Sequence, residues 1–561
     1  MYDSRYEGMF VAQKIKQAQA RMETARNLFD WQWSELADLV LPTQSGQFYG
    51  QSRQQGSSQT NRQYDEYASQ GLQDGVSTFE GLTMPRGQKW QRFRALPDQL
   101  MDSVENQQWF ERKVNLVFAM RNDPKSGFTT NVHTSAESLL GFGNQSMWVD
   151  KRFDHFGRFE GLSYESEHIG GVWFERDARG NIYRIHRKII LTAEQARDKW
   201  GEDAPQSVAK ALAGPNPTPD RKLEFLHVIE RNDGMRADRL DAWGKPWKAC
   251  YYCIADSDVF LVGGYRTLRR IYSCFARSQN EDYGRGPASL VLPAIRASQV
   301  IMQDLVLGTE MTVKPPLLAE DDDLDEAVIA LGPFGITYGG LEMGRERLKT
   351  FLGTIDLSGA ERLLDRIHAV IDKAFYRDLM QINRELKTHI SAARTLEEVS
   401  EKGILLSPLA RQEQEWFSPV LDVELDLLGE EGFMDDMPGA LREYFAGNGG
   451  VHVVYDNNLA RMQEANEAAG YLNTANQVGA IAQFDPGAVA AFVREYPLEK
   501  VIPGLGDVNG IPAKWRATDD EKAQHDAEQR SEAIMQRVLQ AAPVLAQSAK
   551  DAAAAGVTGG A

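Results

Sequence analysis

Cysteine is almost missing from this chain: 561 residues contain three, Cys250, Cys253 and Cys274. So few, and an odd number, gives no disulfide framework and fits a reducing compartment. Long apolar runs are missing too. No stretch of eighteen apolar residues occurs, and the longest helical segment carries Arg296, Asp304 and Glu310, so no membrane span is expected. Met1-Tyr2-Asp3-Ser4-Arg5 leads into no apolar segment, and no secretory signal is expected. Positive charge is in deficit: 62 Lys and Arg face 80 Asp and Glu, a net charge of -18. Nucleic-acid binders held by phosphate contacts are usually basic. An acidic surface still suits a conduit, because it repels a polyanion that must pass without sticking.

Catalytic signatures are missing as well. The chain has no P-loop GxxxxGK[ST], no HExxH and no GxSxG. The glycines at 504, 506 and 510 do not make GxGxxG, and Ile511-Pro512 follows them instead of a helix. The acid run Asp321-Asp322-Asp323-Leu324-Asp325-Glu326 puts Glu326 where an EF-hand loop needs glycine, so a solvated turn is expected. Cys250 and Cys253 have CxxC spacing, but in a strand residues three apart point to opposite faces, and both are read as small buried apolar residues. The nine His are scattered singly and read as structural. A nuclease or ATPase needs clustered metal carboxylates or a phosphate loop. No cofactor is expected, and the chain is read as a non-enzyme.

What is present is enough apolar material, 42% of residues, to bury real cores. Length suggests about three or four domains. Nine of the eleven Trp precede residue 250, which predicts a well-packed N-terminal body and a lighter helical C-terminus. Val11, Ile15, Ala18, Met22, Ala25 and Phe29 recur by four and three and predict a helix over 8–29. A second helix over 31–41 stops at Pro42. A polar loop covers 43–62, and a further helix covers 64–83. Short β-branched and aromatic runs at 147–152, 171–176, 182–190, 225–231, 247–254 and 259–262 predict an antiparallel β region. One helix, Ala193–Trp200, interrupts it.

The richest stretch is 283–428. Proline after Gly284-Arg285-Gly286 suits the first turn of a helix, where no donor is needed. That helix runs to Val313, roughly 40 Å at 1.5 Å per residue, with an early kink at Pro293 and a stop at Pro315-Pro316. Its seam of Val291, Ile295, Ser298, Met302 and Leu305 is narrow and suits neighbouring helices. An insert follows. Ser358 and Glu361 predict a capping box for a second helix. A polar stretch holding Arg384, Lys387 and His389 leads to a third helix from Thr395, interrupted at Gly403 and Pro408 and bent at Pro419. Helices over 457–484, 486–496 and 518–555 complete the pattern.

Several blocks occur in a telling order: WSELADLVLP at 33–42, Gly71-Leu72, GLTMP at 81–85 with Trp90, EDYGRGP at 281–287 with Leu292-Pro293, then TLEEV at 395–399 with LSPL at 406–409. Together they resemble the portal (head-to-tail connector) protein of short-tailed, podovirus-type bacteriophages, over nearly the whole chain. The chain departs most from that pattern in the insert and after Thr518.

The resemblance implies an α+β portal fold in a ring-shaped homo-oligomer of about twelve copies at one capsid vertex. Residues 1–286 would form a mixed α/β wing, 287–313 and 358–380 a two-helix stem, and 314–357 a small clip. Residues 381–394 would form a tunnel loop, 395–455 a kinked tunnel helix and wing return, and 456–561 a helical crown and tail. The ring would admit, retain and release double-stranded DNA.

Implied partners are the terminase large subunit, scaffolding protein, major capsid protein and tail adaptor or nozzle proteins, with no membrane. The implied sites are Gly284, Arg285, Gly286 and Pro287 at the stem start, and Pro315, Pro316, Asp321, Asp322 and Asp323 for docking at the clip. Asn383, Arg384, Lys387 and His389 would lie in the DNA channel, and Gly403 and Pro408 at the tunnel-helix kink. Assembly in the host cytoplasm and residence in the virion follow. The competing expectations are another structural protein of the head-tail region, an adaptor or capsid component, and a DNA-processing packaging enzyme.

Overall fold

The structure, a computed structural model, describes residues 9–45, 63–313, 317–319, 341–350, 357–377, 407–455 and parts of 471–501, apart from isolated positions within them. Helix α1 is continuous over Ala12–Leu39, where the sequence pattern predicts two helices. Asp30 does not break it, because Arg26 one turn earlier pairs with its carboxylate at 2.9 Å. Arg26 also donates to the carbonyls of Ile169, Gly170 and Val172 and lies 4.1 Å from the Trp173 ring centre. A buried guanidinium whose two terminal nitrogens are held by carbonyls, with its Nε beside Asp30, holds the turn around Asp30 in helical form. The predicted loop over 43–62 falls almost wholly outside the described residues.

Helix α2 is Tyr67–Thr83, and strand β1 is Gln91–Arg94. Helices α3, Val104–Asn122, and α4, Phe128–Phe142, are not marked by the sequence pattern. The inward face of α4 mixes Val132, Ala136 and Leu139 with Ser135 and Ser138. Such a face buries well but makes a weak apolar stripe.

Two antiparallel sheets follow. In the first, β2 (Asn144–Phe153) lies between β3 (Phe159–Glu167) and β9 (Arg270–Cys274). The second is a meander in chain order: β4 (Val172–Arg176), β5 (Ile182–Thr192), β6 (Lys222–Arg231), β7 (Trp247–Cys253) and β8 (Asp258–Tyr265). Strands β3 and β9 are additions to the predicted set. Helix α5, Ala193–Trp200, falls where predicted, with Thr192 and Gln195 completing a capping box. A second helix, α6 at Gln206–Leu212, packs beside it, so the β region holds two helices rather than one.

The two cysteines of the CxxC pair do face opposite ways. Cys250 packs with Phe10, Ile15 and Val228, and Cys253 with Trp200 and Phe225. Burial pushes both thiols up.

The predicted long helix begins with one turn, Pro287–Leu290, and continues as α7, Leu292–Val313. Pro293 has no N–H to donate to the Ser289 carbonyl, and the chain breaks between the two pieces at Val291. Helix α8 is Ser358–Ala374. It differs from expectation at both ends. Leu357 is the cap residue and no side chain caps it, so Ser358 does not form the predicted capping box. The helix stops at Ala374, short of 380, and Tyr376 sits at φ 61 just beyond. In the insert between α7 and α8, β10 (Leu317–Ala319) pairs with β13 (Leu348–Thr350), and β11 (Leu341–Glu342) with β12 (Arg345–Glu346).

After the next undescribed segment come α9 (Ser407–Gln412), a π-turn at Glu413–Phe417 and α10 (Ser418–Glu430). Pro419 cannot donate to the Glu415 carbonyl, and a wider turn accommodates that gap. Helix α11 (Gly439–Ala446) leads to β14 (His452–Tyr455), which returns to pair with β1. Residues 464–561 form a separate compact unit. Its described part includes α12, Gly487–Glu495, at the predicted position, with Tyr471 and Tyr496 against Phe492.

The main core joins α1–α4, β2, β3, β9 and α10. Buried ion pairs cross it. Arg121 of α3 meets Glu424 of α10 in a two-pronged contact at 2.7 and 2.6 Å. Arg270 meets Glu167 at 2.6 and 2.9 Å.

Three buried histidines set a pH limit. Burial, helped by nearby arginines, lowers His168 and His186 to about 3 and holds His227 well below its usual range. Unfolded imidazoles take up protons below about pH 6.5, while His168 and His186 stay neutral until near pH 3 and His227 stays neutral well below its usual range. Acid therefore favours the unfolded chain across that window, by up to about 1.4 kcal/mol per pH unit for each histidine. The melting temperature should fall steadily from pH 7 to pH 5, and less steeply in His186→Gln. An equal slope in that variant would contradict this origin.

Candidate functional site

The candidate site is the joint from which the two long helices leave the body. At its first half, backbone packs on backbone. Gly143 ends α4 in the left-handed region, at φ 83, which favours glycine. A Cβ on Gly286 would sit 2.6 Å from the Leu140 carbonyl oxygen and 2.8 Å from the Gly143 nitrogen. A Cβ on Gly284 would sit 2.7 Å from the Cys274 Cβ and 2.8 Å from the Ala276 oxygen. The Gly-Arg-Gly spacing thus reflects two points where another chain segment leaves no room for a side chain.

Asn144 closes this contact. Its side-chain amide donates to the carbonyls of Phe142, at 3.0 Å, and Gly284, at 2.9 Å. Its oxygen accepts from the Gly284 N–H at 2.7 Å and from the Tyr272 hydroxyl. One buried amide therefore satisfies both backbone groups of Gly284. Arg285 N–H donates to Ala276 at 2.6 Å, while the Arg285 side chain pairs with Glu281 and lies 5.2 Å from the Phe29 ring centre. Tyr283 is buried among Phe29, Trp33 and Phe174. Pro287 then starts the helical turn, as its fixed φ favours.

The second half grips α7 and α8 together. Gln299 accepts from the N–H groups of Tyr64, at 2.7 Å, and Asp65, at 3.0 Å, and donates to the Asp65 carbonyl at 2.7 Å. The Asp65 carboxylate meets His368 Nε2 at 3.0 Å. His368 stacks flat on Tyr67, ring centres 3.8 Å apart, and the Tyr67 hydroxyl donates to Asp372 at 2.6 Å. Phe375 lies against α2 where a Cβ on Gly75 would come within 2.9 Å of its carbonyl oxygen.

Beyond the joint both helices carry exposed apolar side chains. The predicted seam turns inward: Ile295 and Ser298 are buried, and Val291, Met302 and Leu305 are half-buried. A different set of α7 side chains faces solvent, with Val300 at 56% and Val313 at 73% exposure. On α8, Leu363 and Val370 are about half exposed, at 49% and 50%.

Of the residues singled out from sequence, Gly284, Arg285, Gly286 and Pro287 stand together in the joint. Pro408 lies in α9. Gly403, Asn383, Arg384, Lys387, His389, Pro315, Pro316, Asp321, Asp322 and Asp323 lie outside the described residues. The sequence pattern does not point to Gly143, Asn144, Asp65, Gln299 or His368. The run Gly141-Phe142-Gly143-Asn144 was the one available signal, as a turn.

A cleft of about 230 Å³ lies elsewhere, lined in part by Glu80, Met84, Trp90, Phe118 and Arg121. Its arginine is committed to Glu424 and Gln91, and Glu80 pairs with His133 at 2.8 Å. Among the described residues no group of three or more His, Cys, Asp or Glu is placed to hold a metal ion.

A family model described as bacteriophage head to tail connecting protein matches residues 12–516. The comparison with curated proteins returned no match.

Gly286→Ala should lower stability by about 3 kcal/mol, since backbone must move to admit the methyl. Gly81→Ala is the control. It lies in α2 with nothing within 4 Å of the added Cβ and should raise stability by about 0.5–1 kcal/mol. Similar melting temperatures for the two variants would refute the close-packed joint.

Proposed function

Because the chain belongs to the bacteriophage head to tail connecting protein family, we propose that it acts as the portal of a short-tailed phage. The family is one of structural connectors of the virion, which implies contact with capsid and tail proteins. In this reading copies surround an axis, about twelve of them, and double-stranded DNA is packaged, retained and ejected through the opening. Residues 1–286 and part of the chain after Gly429 form the wing, and 287–313 and 358–380 the stem. The insert 314–357 is the clip, where Pro315, Pro316 and Asp321 to Asp323 dock the terminase large subunit and later a tail adaptor. Residues 381–394, with Asn383, Arg384, Lys387 and His389, approach DNA, and the helix after them, with Gly403 and Pro408, bends toward the wing. Residues from 456 form the crown. Assembly with scaffolding and major capsid proteins takes place in the host cytoplasm.

One observation carries this reading. Helices α7 and α8 are fixed firmly at one end, yet along their length they expose Val300, Val306, Leu307, Met311, Leu363 and Val370. A chain meant to stay single leaves few such contiguous apolar residues in water. The net charge of -18 also suits a wall that repels DNA and so lets it slide.

Electron microscopy of the purified full chain should show rings with a central hole. A chain that stays monomeric at high concentration, without ring views, would contradict the proposal.

A further inference from the structure

Helices α7 and α8 present two different outward faces. On α7, Val300, Asp304, Leu307 and Met311 are all exposed. Their steps of four, three and four put them on one stripe. On α8, Leu363, Arg366, Val370 and Lys373 are exposed at steps of three, four and three, with Arg362 at their edge. Each stripe is apolar with charge of one sign set into it: a carboxylate on α7, and two guanidiniums and an ammonium on α8. Among the described residues, Asp304, Arg366 and Lys373 enter no ion pair, and Arg362 donates only within its own helix, to Ser358.

The two stripes also match in height. The helices run antiparallel. Gln299 and His368 both hold Asp65, so these residues are nearly level. Gly308 lies against Leu357, since a Cβ there would meet the Leu357 side chain at 3.0 Å. Between those two levels, Asp304 falls about opposite Arg362, with Arg366 one turn away.

We propose that the α7 stripe of one copy packs on the α8 stripe of the next, with Asp304 set between Arg362 and Arg366. This rests on the ring reading above. The occupant is a second copy of this chain because each stripe carries the charge the other lacks, at the same height. Rotation about a ring axis preserves height, so copies so related bring these positions together. Pairing like with like would set Asp304 near Asp304, or arginines near arginines. A contact between unlike faces leaves one of each free on every pair, and so propagates until it closes. The attraction of one exposed pair is small, but reversing a charge sets like against like at every junction, which is far more damaging.

The test uses the full-length chain and charge reversal. Asp304→Lys alone, and Arg362→Glu with Arg366→Glu alone, should each form at least about tenfold fewer rings than the original chain. Both variants should keep the melting temperature of the original chain in its unassembled form, because the altered side chains are exposed. Mixed one to one, they should form rings again, with the two variants alternating. The introduced ammonium on α7 of one variant would then face the two introduced carboxylates on α8 of the other at every second junction, and the original pairing would hold at the rest. Rings that persist in Asp304→Lys overturn the pairing and leave the ring reading intact. Two failing variants that do not rescue each other also overturn it, because the faces then do not meet. If the original chain forms no rings, the ring reading fails, and the pairing with it.

Discussion

The absence of side-chain atoms at one crossing governs much of this structure. The chain leaving α4 at Gly143 and the chain entering the long helix at Gly284–Gly286 touch through their backbones. Any Cβ at Gly286 would force them apart by a distance that close-packed interiors cannot absorb cheaply. The same approach strips water from backbone groups, which must then find partners. Asn144 supplies them, giving one acceptor and one donor to Gly284. The direction in which α7 leaves the body follows from that fit. Gln299, Asp65 and His368 then tie α8 to the same ground.

Polar burial is concentrated where chain segments far apart in sequence must be held together. Arg121 and Glu424 join α3 to the helix that follows the π-turn, and Arg270 with Glu167 ties two strands of the first sheet. Removing one member of such a pair leaves an uncompensated buried charge, so these contacts specify arrangement more than they add stability. Among the described residues, the outer parts of α7 and α8 have no comparable contacts and keep apolar residues in water. A firm root and bare shafts together suit a subunit that is completed by its neighbours.

Local features were legible in the sequence, and distant ones were not. The capped helix at Ala193–Trp200 could be read because its signal lies within three residues. The opposed directions of Cys250 and Cys253 follow from strand period alone. The helix start at Pro287 could be read, but its reason could not, since Gly143 and Asn144 lie some 140 positions away. Helix α4 escaped because small and polar residues share its buried face, and α3 because Asn106, Lys113 and Arg121 interrupt its apolar one. The apparent break at Asp30 was misleading because the partner that cancels it, Arg26, is itself held by carbonyls near Val172. The seam of Ile295 and Ser298 reads from sequence as a face for neighbouring helices rather than a globular core, yet Ile295 belongs to the main core and Ser298 is buried within the chain. The stripe through Asp304 faces out instead.

The central claim is that α7 and α8 are locked at the root and unfinished along their shafts. Amide hydrogen exchange, compared between unassembled and assembled chain, tests it most directly. In the unassembled chain, residues 139–145 and 283–287 should exchange at least about a hundredfold more slowly than 305–313. Assembly should slow 305–313 and leave the root unchanged. Equal protection of 305–313 and the root before assembly would contradict the account.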